Sequence, residues 1–356
     1  MTRVAVVFGG RSEEHEVSCV SAASVIGAID RERYEVIPVG IDKEGRWMLL
    51  HGPPPRDPGA DRLPAIEPGA GEPVTLAGAG ECALVRSSGE RIPIDVVFPV
   101  LHGPYGEDGT IQGLLEFAGI PYVGAGVLAS AVAMDKAVAK VLFRAAGLPL
   151  TPWAAATAAE WAEDPEAVEA RSEALGVPLF VKPAALGSSV GVSKVKSLAD
   201  LPAALDEALA HGRRAIVEAA VEDAREIECS VLGNDEPVAS VPGEIVPAGE
   251  FYDYRSKYLD DRTRLIVPAD LPAETVEEVQ RMAVAAFQAV DGAGMARVDF
   301  FLGATGLYLN ELNTIPGFTE VSMYPKMWEA SGLAYPDLID RLIRLGLERH
   351  RGGADV

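Results

Sequence analysis

The spacing of apolar and polar residues predicts a chain that alternates between buried strands and helices in its first third. Residues 4–8, VAVVF, are all apolar, which is typical of a strand buried on both faces. Residues 16–29 then have a helical pattern, residues 36–39 and 95–100 are two further apolar runs, and a helical segment follows at 109–118. Strands alternating with helices predict a parallel α/β sheet, whose ligands bind beyond the carboxyl ends of the strands.

The pattern changes after this region. Residues 52–80 are rich in proline, glycine and alanine, and we predict a surface excursion of the first domain there. A helical stretch covers 127–146, and residues 179–181 and 190–195 predict the two strands of a hairpin. The remaining predicted elements are helices at 197–211, 272–290 and 335–350 and strands at 215–217, 226–232, 295–302 and 307–312.

Length and charge restrict the classes of protein to consider. A chain of 356 residues is too long for one ordinary hydrophobic core, so two or three packed units are expected. Its 53 acidic and 31 basic residues give a formal net charge of -22. A diffuse acidic balance argues against a nucleic-acid partner or an anionic membrane, which would need a basic face. It does not exclude small anionic substrates, because local lysines and arginines can override the overall sign.

Cysteine usage and the apolar runs bear on the compartment. Cys19, Cys82 and Cys229 have no paired spacing, which predicts reduced thiols rather than a disulfide framework or a zinc site. The strand-like residues 1–8 lack the pattern of a signal peptide. No apolar run approaches the roughly 18–20 residues that a membrane span requires. We therefore expect a cytoplasmic protein.

Charged residues near the carboxyl end are the sharpest chemical signal. Arg297 and Asp299 lie two apart on one predicted strand, and Glu311 and Asn313 lie two apart at the end of the next. Residues two apart face the same side of a strand, so pairing would bring two carboxylates and an amide beside one guanidinium. Such oxygen ligands suit magnesium held against phosphates. A surface ladder of ion pairs is the alternative, but the apolar residues between these positions favour the metal site.

A glycine- and serine-rich loop after Lys182 is a weaker candidate. It reads GSSVG at 187–191, and backbone N–H groups in such loops can approach phosphate oxygens while Lys182 supplies positive charge. Taken alone, the loop is better explained as an ordinary hairpin turn. The chain has no Gly-x-x-x-x-Gly-Lys-Ser/Thr sequence, and residues 9–11 lack the third glycine of a dinucleotide fingerprint, so neither of these nucleotide sites is supported.

Taken together, short runs along nearly the whole chain resemble the D-alanine–D-alanine ligase family, whose members have the ATP-grasp fold. The runs are GGRSEEHEVS at 9–18, HGPYGEDG at 102–109, MDK at 134–136, VKP at 181–183, GSSVG at 187–191, FYDYRSKY at 251–258 and NELNTIPG at 310–317. The ATP-grasp runs alone would indicate only the superfamily. Glu14 and the pair Lys257 and Tyr258 narrow the resemblance to this family.

The resemblance implies an α/β protein with three domains. These are an N-terminal parallel α/β (pre-ATP-grasp) domain at 1–126, a central ATP-grasp subdomain at 127–215 and a C-terminal ATP-grasp subdomain at 216–356. ATP would bind between the second and the third, and a lid loop would lie in the third, where the tyrosines at 252, 254 and 258 stand among polar residues. A homodimer formed through the N-terminal domain is a further implication.

The resemblance also implies ATP and two magnesium (or manganese) ions, with Asp299, Glu311 and Asn313 as metal ligands. Glu218 and Val221 would line the adenine pocket, largely through backbone groups, and Glu226 would bind the ribose. Ala219 and Ala220 are smaller than the residues that some relatives have in this wall. The complete set implied for ATP is Lys136, Lys182, Gly187, Ser188, Ser189, Glu218, Val221, Glu226 and Lys257.

The implied reaction joins two D-alanines through a D-alanyl phosphate. ATP would activate the carboxylate of the first, and the amine of the second would attack it. The residues implied for catalysis are Glu14, Ser188, Arg297, Tyr258 and His102, with Arg297 and a backbone N–H near Gly317 stabilising the oxyanion. Glu14 and His102 would position the first D-alanine, and Ser322 and Met323 would bind the carboxylate of the second. Lys257 and Tyr258 would keep water from the acyl phosphate.

Several related readings stay open on the sequence. A sister ligase could form D-alanyl-D-lactate or D-alanyl-D-serine, although Tyr258 weighs against the lactate product. Another ATP-grasp enzyme, such as a biotin-dependent carboxylase subunit, would share the metal cluster but would give no reason for Glu14. A non-catalytic nucleotide-binding regulator is opposed by the intact charged cluster near the carboxyl end.

Overall fold

The chain folds around three β-sheets. The computed structural model describes residues 1–54, 63–78, 80–187, 190–247, 263–319 and 321–353. Within these ranges, seven strands form the first sheet, in the order β6-β5-β4-β3-β2-β1-β7. They are β1 (Thr2–Gly9), β2 (Tyr34–Ile41), β3 (Trp47–Leu49), β4 (Glu72–Leu76), β5 (Ala83–Arg86), β6 (Arg91–Pro93) and β7 (Val96–Val100).

The parallel arrangement predicted for this sheet holds for two of its six strand pairings. β1 is parallel to β2 and to β7, and its residues 4–8 are fully buried, as an all-apolar strand should be. The strands from β3 to β6 pair antiparallel instead. Short connections join β2 to β3 and β5 to β6, and strands joined by tight turns pair antiparallel. The first sheet is therefore mixed.

The prediction that residues 52–80 form a surface excursion is wrong for the part of this segment that packs into the core. Ile66 and Val74 are buried in the core of the first domain, and β4 is an inner strand of the sheet. The backbone N–H of Ile66 donates to Nε2 of His15, 3.0 Å away. A composition rich in proline and glycine therefore concealed two core positions, because single apolar residues carry no periodic signal. Residues 55–62 and 79 lie outside the described ranges.

The predicted helix at 127–146 is two helices. α1 (His15–Ala28) and α2 (Thr110–Ala118) precede α3 (Val127–Met134) and α4 (Lys136–Ala145). Asp135 separates the last two, because its backbone is extended and its side chain accepts from the N–H groups of Ala137 and Val138, each at 3.1 Å. Aspartate favours such a capping position over a helix interior. The break places Lys136 at the first position of α4.

The second sheet has the order β10-β9-β11-β8 and is antiparallel. Its strands are β8 (Trp153–Thr157), β9 (Leu179–Pro183), β10 (Ser193–Val195) and β11 (Arg214–Ala219). β9 and β10 form the predicted hairpin, with Ser193 opposite Val181. Three helices contact strands of this sheet: α5 (Ala158–Glu163), α6 (Pro165–Glu173) and α7 (Leu201–Ala210). The predicted domain boundary at 215/216 falls within β11. The division into domains at 126/127 and 215/216 stays a prediction.

The third sheet carries the charged cluster near the carboxyl end. Its strands are β12 (Arg225–Gly233), β13 (Val238–Ala239), β14 (Gly243–Val246), β15 (Arg264–Ile266), β16 (Gly294–Gly303) and β17 (Gly306–Asn313). The path is β15-β14-β12-β16-β17, with β13 beside β12. Helix α8 (Ala273–Ala289) lies between β15 and β16 in the chain, and helices α9 (Met323–Ala330) and α10 (Tyr335–Gly353) follow β17. α10 buries Leu338 and Leu342 in the same core as Phe8 of β1, which joins the two ends of the chain.

Among the described residues, no helix combines the length and the apolar character needed to cross a membrane.

Candidate active site

The predicted convergence on β16 and β17 is confirmed. Arg297 lies opposite Asn313, and Asp299 lies opposite Glu311, with a register shift just after Asp299. The guanidinium of Arg297 donates to both oxygens of Asp299, at 2.7 Å each. Nδ2 of Asn313 donates to Oδ2 of Asp299 at 3.0 Å. Two carboxylates, an amide and a guanidinium therefore form one network, as residue alternation along paired strands predicts.

The donor set of this network has the chemistry that magnesium prefers. Asp299 and Glu311 supply carboxylate oxygens. The side-chain amide of Asn313 supplies a third oxygen when it is flipped, so that Oδ1 and Nδ2 change places. No group of three or more His, Cys, Asp and Glu side chains arranged for a metal exists in the described part of the chain. The candidate site is accordingly two carboxylates and one amide, which suits an ion that keeps waters and phosphate oxygens as its other ligands.

Arg297 has a second carboxylate partner that the sequence analysis missed. Oε1 of Glu228, on β12, lies 3.2 Å from its Nε. Although burial disfavours a charge, Asp299 and Glu228 raise the pKa of Arg297 well above its usual value, so this guanidinium stays charged. The signal for Glu228 was present in the sequence: it alternates with Glu226 in a strand that is otherwise largely apolar.

The two lysines predicted to bind phosphates lie beside carboxylates. Nζ of Lys136 is 3.1 Å from Oε2 of Glu311 and donates to the carbonyl oxygen of Leu186 at 2.9 Å. Lys182 forms an ion pair with Oε2 of Glu218. Burial alone would lower the pKa of Lys182, but the charges of Glu218 and Glu311 raise it. Lys182 therefore stays charged at the edge of the metal network, where Lys136 also lies.

The side chain of Glu218 forms ion pairs that were not predicted from the sequence. The predicted role of this residue was to line the adenine pocket, largely through its backbone. Its Oε1 lies 2.6 Å from Nζ of Lys140, while Oε2 pairs with Lys182. Burial would raise its pKa, but the two ammonium groups lower the pKa of Glu218 to about 2. Lys140 was not identified from the sequence, because a lysine on a helix is usually solvated.

A large cavity of about 970 Å³ lies between the second and third sheets. It brings together the predicted nucleotide residues that the structure describes and two of the predicted metal ligands. These are Lys136, Lys182, Gly187, Glu218, Val221, Glu226, Asp299 and Glu311. Its walls combine lysines, carboxylates and apolar side chains such as Phe180 and Phe300. The cavity can hold a ligand that combines an apolar ring with negative groups.

A smaller cavity of about 110 Å³ adjoins the large one. Its lining includes all of the predicted substrate residues: Glu14, His102, Gly317, Ser322 and Met323. Lys136, Gly187, Arg297 and Glu311 line both cavities. A molecule in the small cavity therefore lies next to the charged end of the large one, which is where a reactive group could pass between them.

Two glycines let separate loops approach Glu14. Gly103 has a φ of +74°, and a Cβ atom there would lie 2.7 Å from Oε2 of Glu14. A Cβ atom at Gly187 would lie 3.1 Å from the same oxygen. Larger residues would push these loops away from the carboxylate. Glu14 is thus held at the junction of the first and second sheets' loops.

His102 lies in the small cavity but uses both ring nitrogens in contacts with protein. Nδ1 lies 3.1 Å from the carbonyl oxygen of Ile315, which can only accept, so Nδ1 carries the proton. Nε2 then accepts from the hydroxyl of Ser21 at 2.9 Å. Burial lowers the pKa of His102, in agreement with a neutral ring. Its position suits it to hold the loop after β17 as well as to contact a substrate.

Glu107 makes a second link to the same loop, and no role was predicted for it. Its carboxyl group accepts the N–H of Gly103 at 2.6 Å and the N–H of Ile315 at 3.1 Å. Burial, with the nearby charge of Glu14, raises the pKa of Glu107 to about 8. Both polar backbone atoms of Ile315 are therefore held by the 102–107 loop, which fixes the approach to Gly317.

Four predicted site residues lie outside the described ranges: Ser188, Ser189, Lys257 and Tyr258, the last two in the predicted lid.

Comparison with known proteins identifies the family. The family model described as "D-ala D-ala ligase N-terminus" matches residues 3–125, and the one described as "D-ala D-ala ligase C-terminus" matches residues 142–344. The chain belongs to the D-alanine–D-alanine ligase family. Members of this family are ATP-dependent ligases with the ATP-grasp fold, so the predicted fold class and enzyme class are confirmed.

Individual relatives are similar over nearly their full lengths. The D-alanine–D-alanine ligase of Paenarthrobacter aurescens is 53% identical, with 98% of this chain and 96% of that protein covered. The solved structure of the ligase from Coxiella burnetii has a TM-score of 0.87 and 38% identity, covering 99% of this chain and 96% of that one. The VanG D-Ala:D-Ser ligase from Enterococcus faecalis has a TM-score of 0.84 and 35% identity, covering 97% and 99%.

Proposed function

We propose that this protein joins two D-alanines into D-alanyl-D-alanine at the expense of ATP, and so supplies peptidoglycan precursor synthesis. The observation that carries the proposal is the junction of the two cavities, where Arg297, Lys136 and Glu311 face both. A carboxylate in the small cavity can there meet the terminal phosphate of a nucleotide in the large one. The names of the curated relatives favour D-alanine over D-lactate or D-serine as the second substrate.

ATP is expected to lie with its adenine near Val221, its ribose near Glu226 and its phosphates near Lys136 and Lys182. Lysine ammonium groups suit phosphate oxygens as compact point charges. Two magnesium ions held by Asp299, Glu311 and Asn313 would neutralise charge on the phosphates during transfer. Lys136 must then exchange its contact with Glu311 for one with phosphate, which frees that carboxylate for its role as a ligand.

The first D-alanine is expected in the small cavity with its ammonium group on Glu14. Its carboxylate then points toward Arg297 and attacks the terminal phosphorus of ATP, which forms the acyl phosphate and releases ADP. The 102–107 loop contributes indirectly, since His102 and Glu107 fix the backbone of Ile315 two residues before Gly317. The N–H of Gly317 and the guanidinium of Arg297 would stabilise the oxyanion that forms when the amine attacks.

The second D-alanine is expected to place its carboxylate at the start of α9. Ser322 is the N-cap of this helix and Met323 is its first residue. The first N–H groups of a helix have no partner within it and favour an anion there. The hydroxyl of Ser322 accepts the N–H of Thr319 at 3.0 Å, which orients it at the entrance of the helix. The amine must lose a proton before attack, since free D-alanine is mostly zwitterionic near neutral pH.

Phosphate release with product identification tests the proposal. Purified protein with ATP and magnesium should release phosphate quickly only when D-alanine is added, and the product should be the dipeptide. With equal D-alanine and D-lactate or D-serine, the dipeptide should predominate at pH 7. Predominant depsipeptide or D-alanyl-D-serine would overturn the choice of acceptor. Phosphate release that is indifferent to D-alanine would overturn the ligase assignment itself.

A matched pair of serine variants tests the acceptor site. Ser322→Ala should raise the Michaelis constant for the second D-alanine and leave that for ATP nearly unchanged. Ser87→Ala, at an exposed position in the first domain, is the control and should change neither constant. Equal effects of the two substitutions would remove Ser322 from the substrate site. Light scattering of the purified protein tests the expected homodimer. Fractionation of cells that contain the protein tests the expected cytoplasmic location.

A further inference from the structure

Lys140 is a buried lysine immediately behind the large cavity. It lies on α4 one helical turn after Lys136, and its side chain is only 1% exposed. Its Nζ is 2.6 Å from Oε1 of Glu218. Glu218 lines the cavity, whereas Lys140 is not one of the described lining residues. A lysine in this position cannot touch a nucleotide directly, so any effect on binding must pass through Glu218.

The carboxylate of Glu218 is shared between two cations. Oε1 faces Lys140 at the back, and Oε2 faces Lys182 at the cavity wall. Burial lowers the pKa of Lys140, and the charge of Glu218 opposes that shift. With both lysines charged, the triad carries one net positive charge. Glu218 is 4% exposed, so it cannot lose all its positive partners without a large desolvation penalty. One of the two lysines must stay with it whenever the other leaves.

We propose that Lys140 is a positioning residue that frees Lys182 for the nucleotide's phosphates. When phosphate binds, Lys182 turns from Glu218 toward the phosphate, and Lys140 continues to neutralise the carboxylate. Without Lys140, the same movement would leave the buried carboxylate of Glu218 without a cation. Lys182 would therefore remain paired with Glu218, and the phosphates would lose one ion-pair partner. The inference rests on the proposed function only in taking ATP as the ligand of the large cavity.

A merely structural role for Lys140 makes a different prediction. If the lysine only stabilised the packing of α4 against β11, its loss would lower thermal stability, and removing Glu218 as well would not restore nucleotide affinity. If it compensates charge, the second substitution releases Lys182 and returns the triad to one net positive charge. The rescue of affinity therefore separates the two roles.

The test is a double-mutant cycle read by nucleotide binding. Lys140→Met, Glu218→Gln and the double variant are titrated calorimetrically with the ATP analogue AMPPNP and magnesium, without D-alanine, and their thermal midpoints are recorded. Lys43→Met is the control, because Lys43 also forms a 2.6 Å ion pair, with Glu16, but lies in the first domain outside both cavities. If Lys140→Met does not fold, Lys140→Gln removes the charge while keeping a hydrogen-bond donor and carries the same test.

Lys140→Met should bind the analogue about tenfold or more weakly, in line with the cost of stranding a buried charge. The double variant should recover most of that loss, and Lys43→Met should bind like the wild type. Unchanged affinity in Lys140→Met, or a double variant that binds no better than Lys140→Met, would overturn the proposal. D-alanine-dependent phosphate release by the wild type reports separately on the ligase function, so that either idea can fail without the other.

Discussion

Glu107 provides a test of how the site is held together, through the dependence of stability on pH. Its buried carboxyl group accepts backbone N–H groups from Gly103 and Ile315, and so ties the first domain to the loop after β17. Burial and the charge of Glu14 raise its pKa from the usual 4.5 to about 8. The perturbation is Glu107→Gln, which keeps the shape and an acceptor oxygen but has no proton to lose.

The direction of the effect follows from proton counting. Between pH 4.5 and about 8 the folded protein keeps a proton on Glu107 that the unfolded chain has released, so stability falls as the pH rises through this window. The contribution is fully present below the unfolded value and is lost once the pH exceeds the folded one. Each pKa unit is worth about 1.4 kcal/mol, so the whole window corresponds to on the order of 5 kcal/mol.

Urea unfolding of the wild type and of Glu107→Gln at several pH values between 4.5 and 8.5 measures this window. The free energy of unfolding of the wild type should fall relative to the variant by several kcal/mol across it, because the other titrating groups are common to both proteins. Glu163→Gln, at an exposed position in α5, is the control and should run parallel to the wild type. A constant difference between wild type and Glu107→Gln at every pH would refute the reasoning.

Three further substitutions test the metal site, the nucleotide site and the cap of α4. Glu311→Gln should lower turnover more than about 100-fold with the fold intact, since one anionic metal ligand is lost. Near-normal activity at saturating magnesium would contradict this prediction. Asp291→Asn, at an exposed turn, is the control. Lys182→Met should raise the Michaelis constant for ATP, and a change confined to the D-alanine constants would contradict its phosphate role. Asp135→Ala removes the cap of α4 and should lower the free energy of unfolding by about 1–2 kcal/mol in urea titrations; unchanged stability would show that the cap is dispensable.

The charged network was predictable because strand alternation is a strict local rule. Arg297 with Asp299, and Glu311 with Asn313, needed only the pairing of two successive strands to converge, and β16 and β17 do pair. Glu228 needed more, since β12 precedes β16 by more than sixty residues and the sequence does not say which strands will be neighbours. Side chains within one hairpin can thus be placed from sequence, whereas those across distant strands depend on the topology of the whole sheet.

The helix at 127–146 was misjudged for a different reason. Alanine and valine are frequent in the first half and give a continuous apolar pattern that conceals a break. The break is set by one side chain, Asp135, whose carboxylate caps the following turn. An aspartate just before Lys136 was the available signal, because this residue type prefers the position before a helix to its interior.

Lys140 and Glu107 were missed because burial decides their chemistry, and burial is a property of the assembled sheets. In the assembled fold the cations of the site are balanced in advance: Lys136 by Glu311, Lys182 by Glu218, and Arg297 by Asp299. When a polyanionic nucleotide enters this site, the lysines must therefore exchange their carboxylate partners for phosphate groups. Exchange requires that each deserted carboxylate find another cation, whether a metal ion for Glu311 or a second lysine for Glu218. That requirement explains why a lysine is kept in the interior, where hydrophobic packing alone would exclude it.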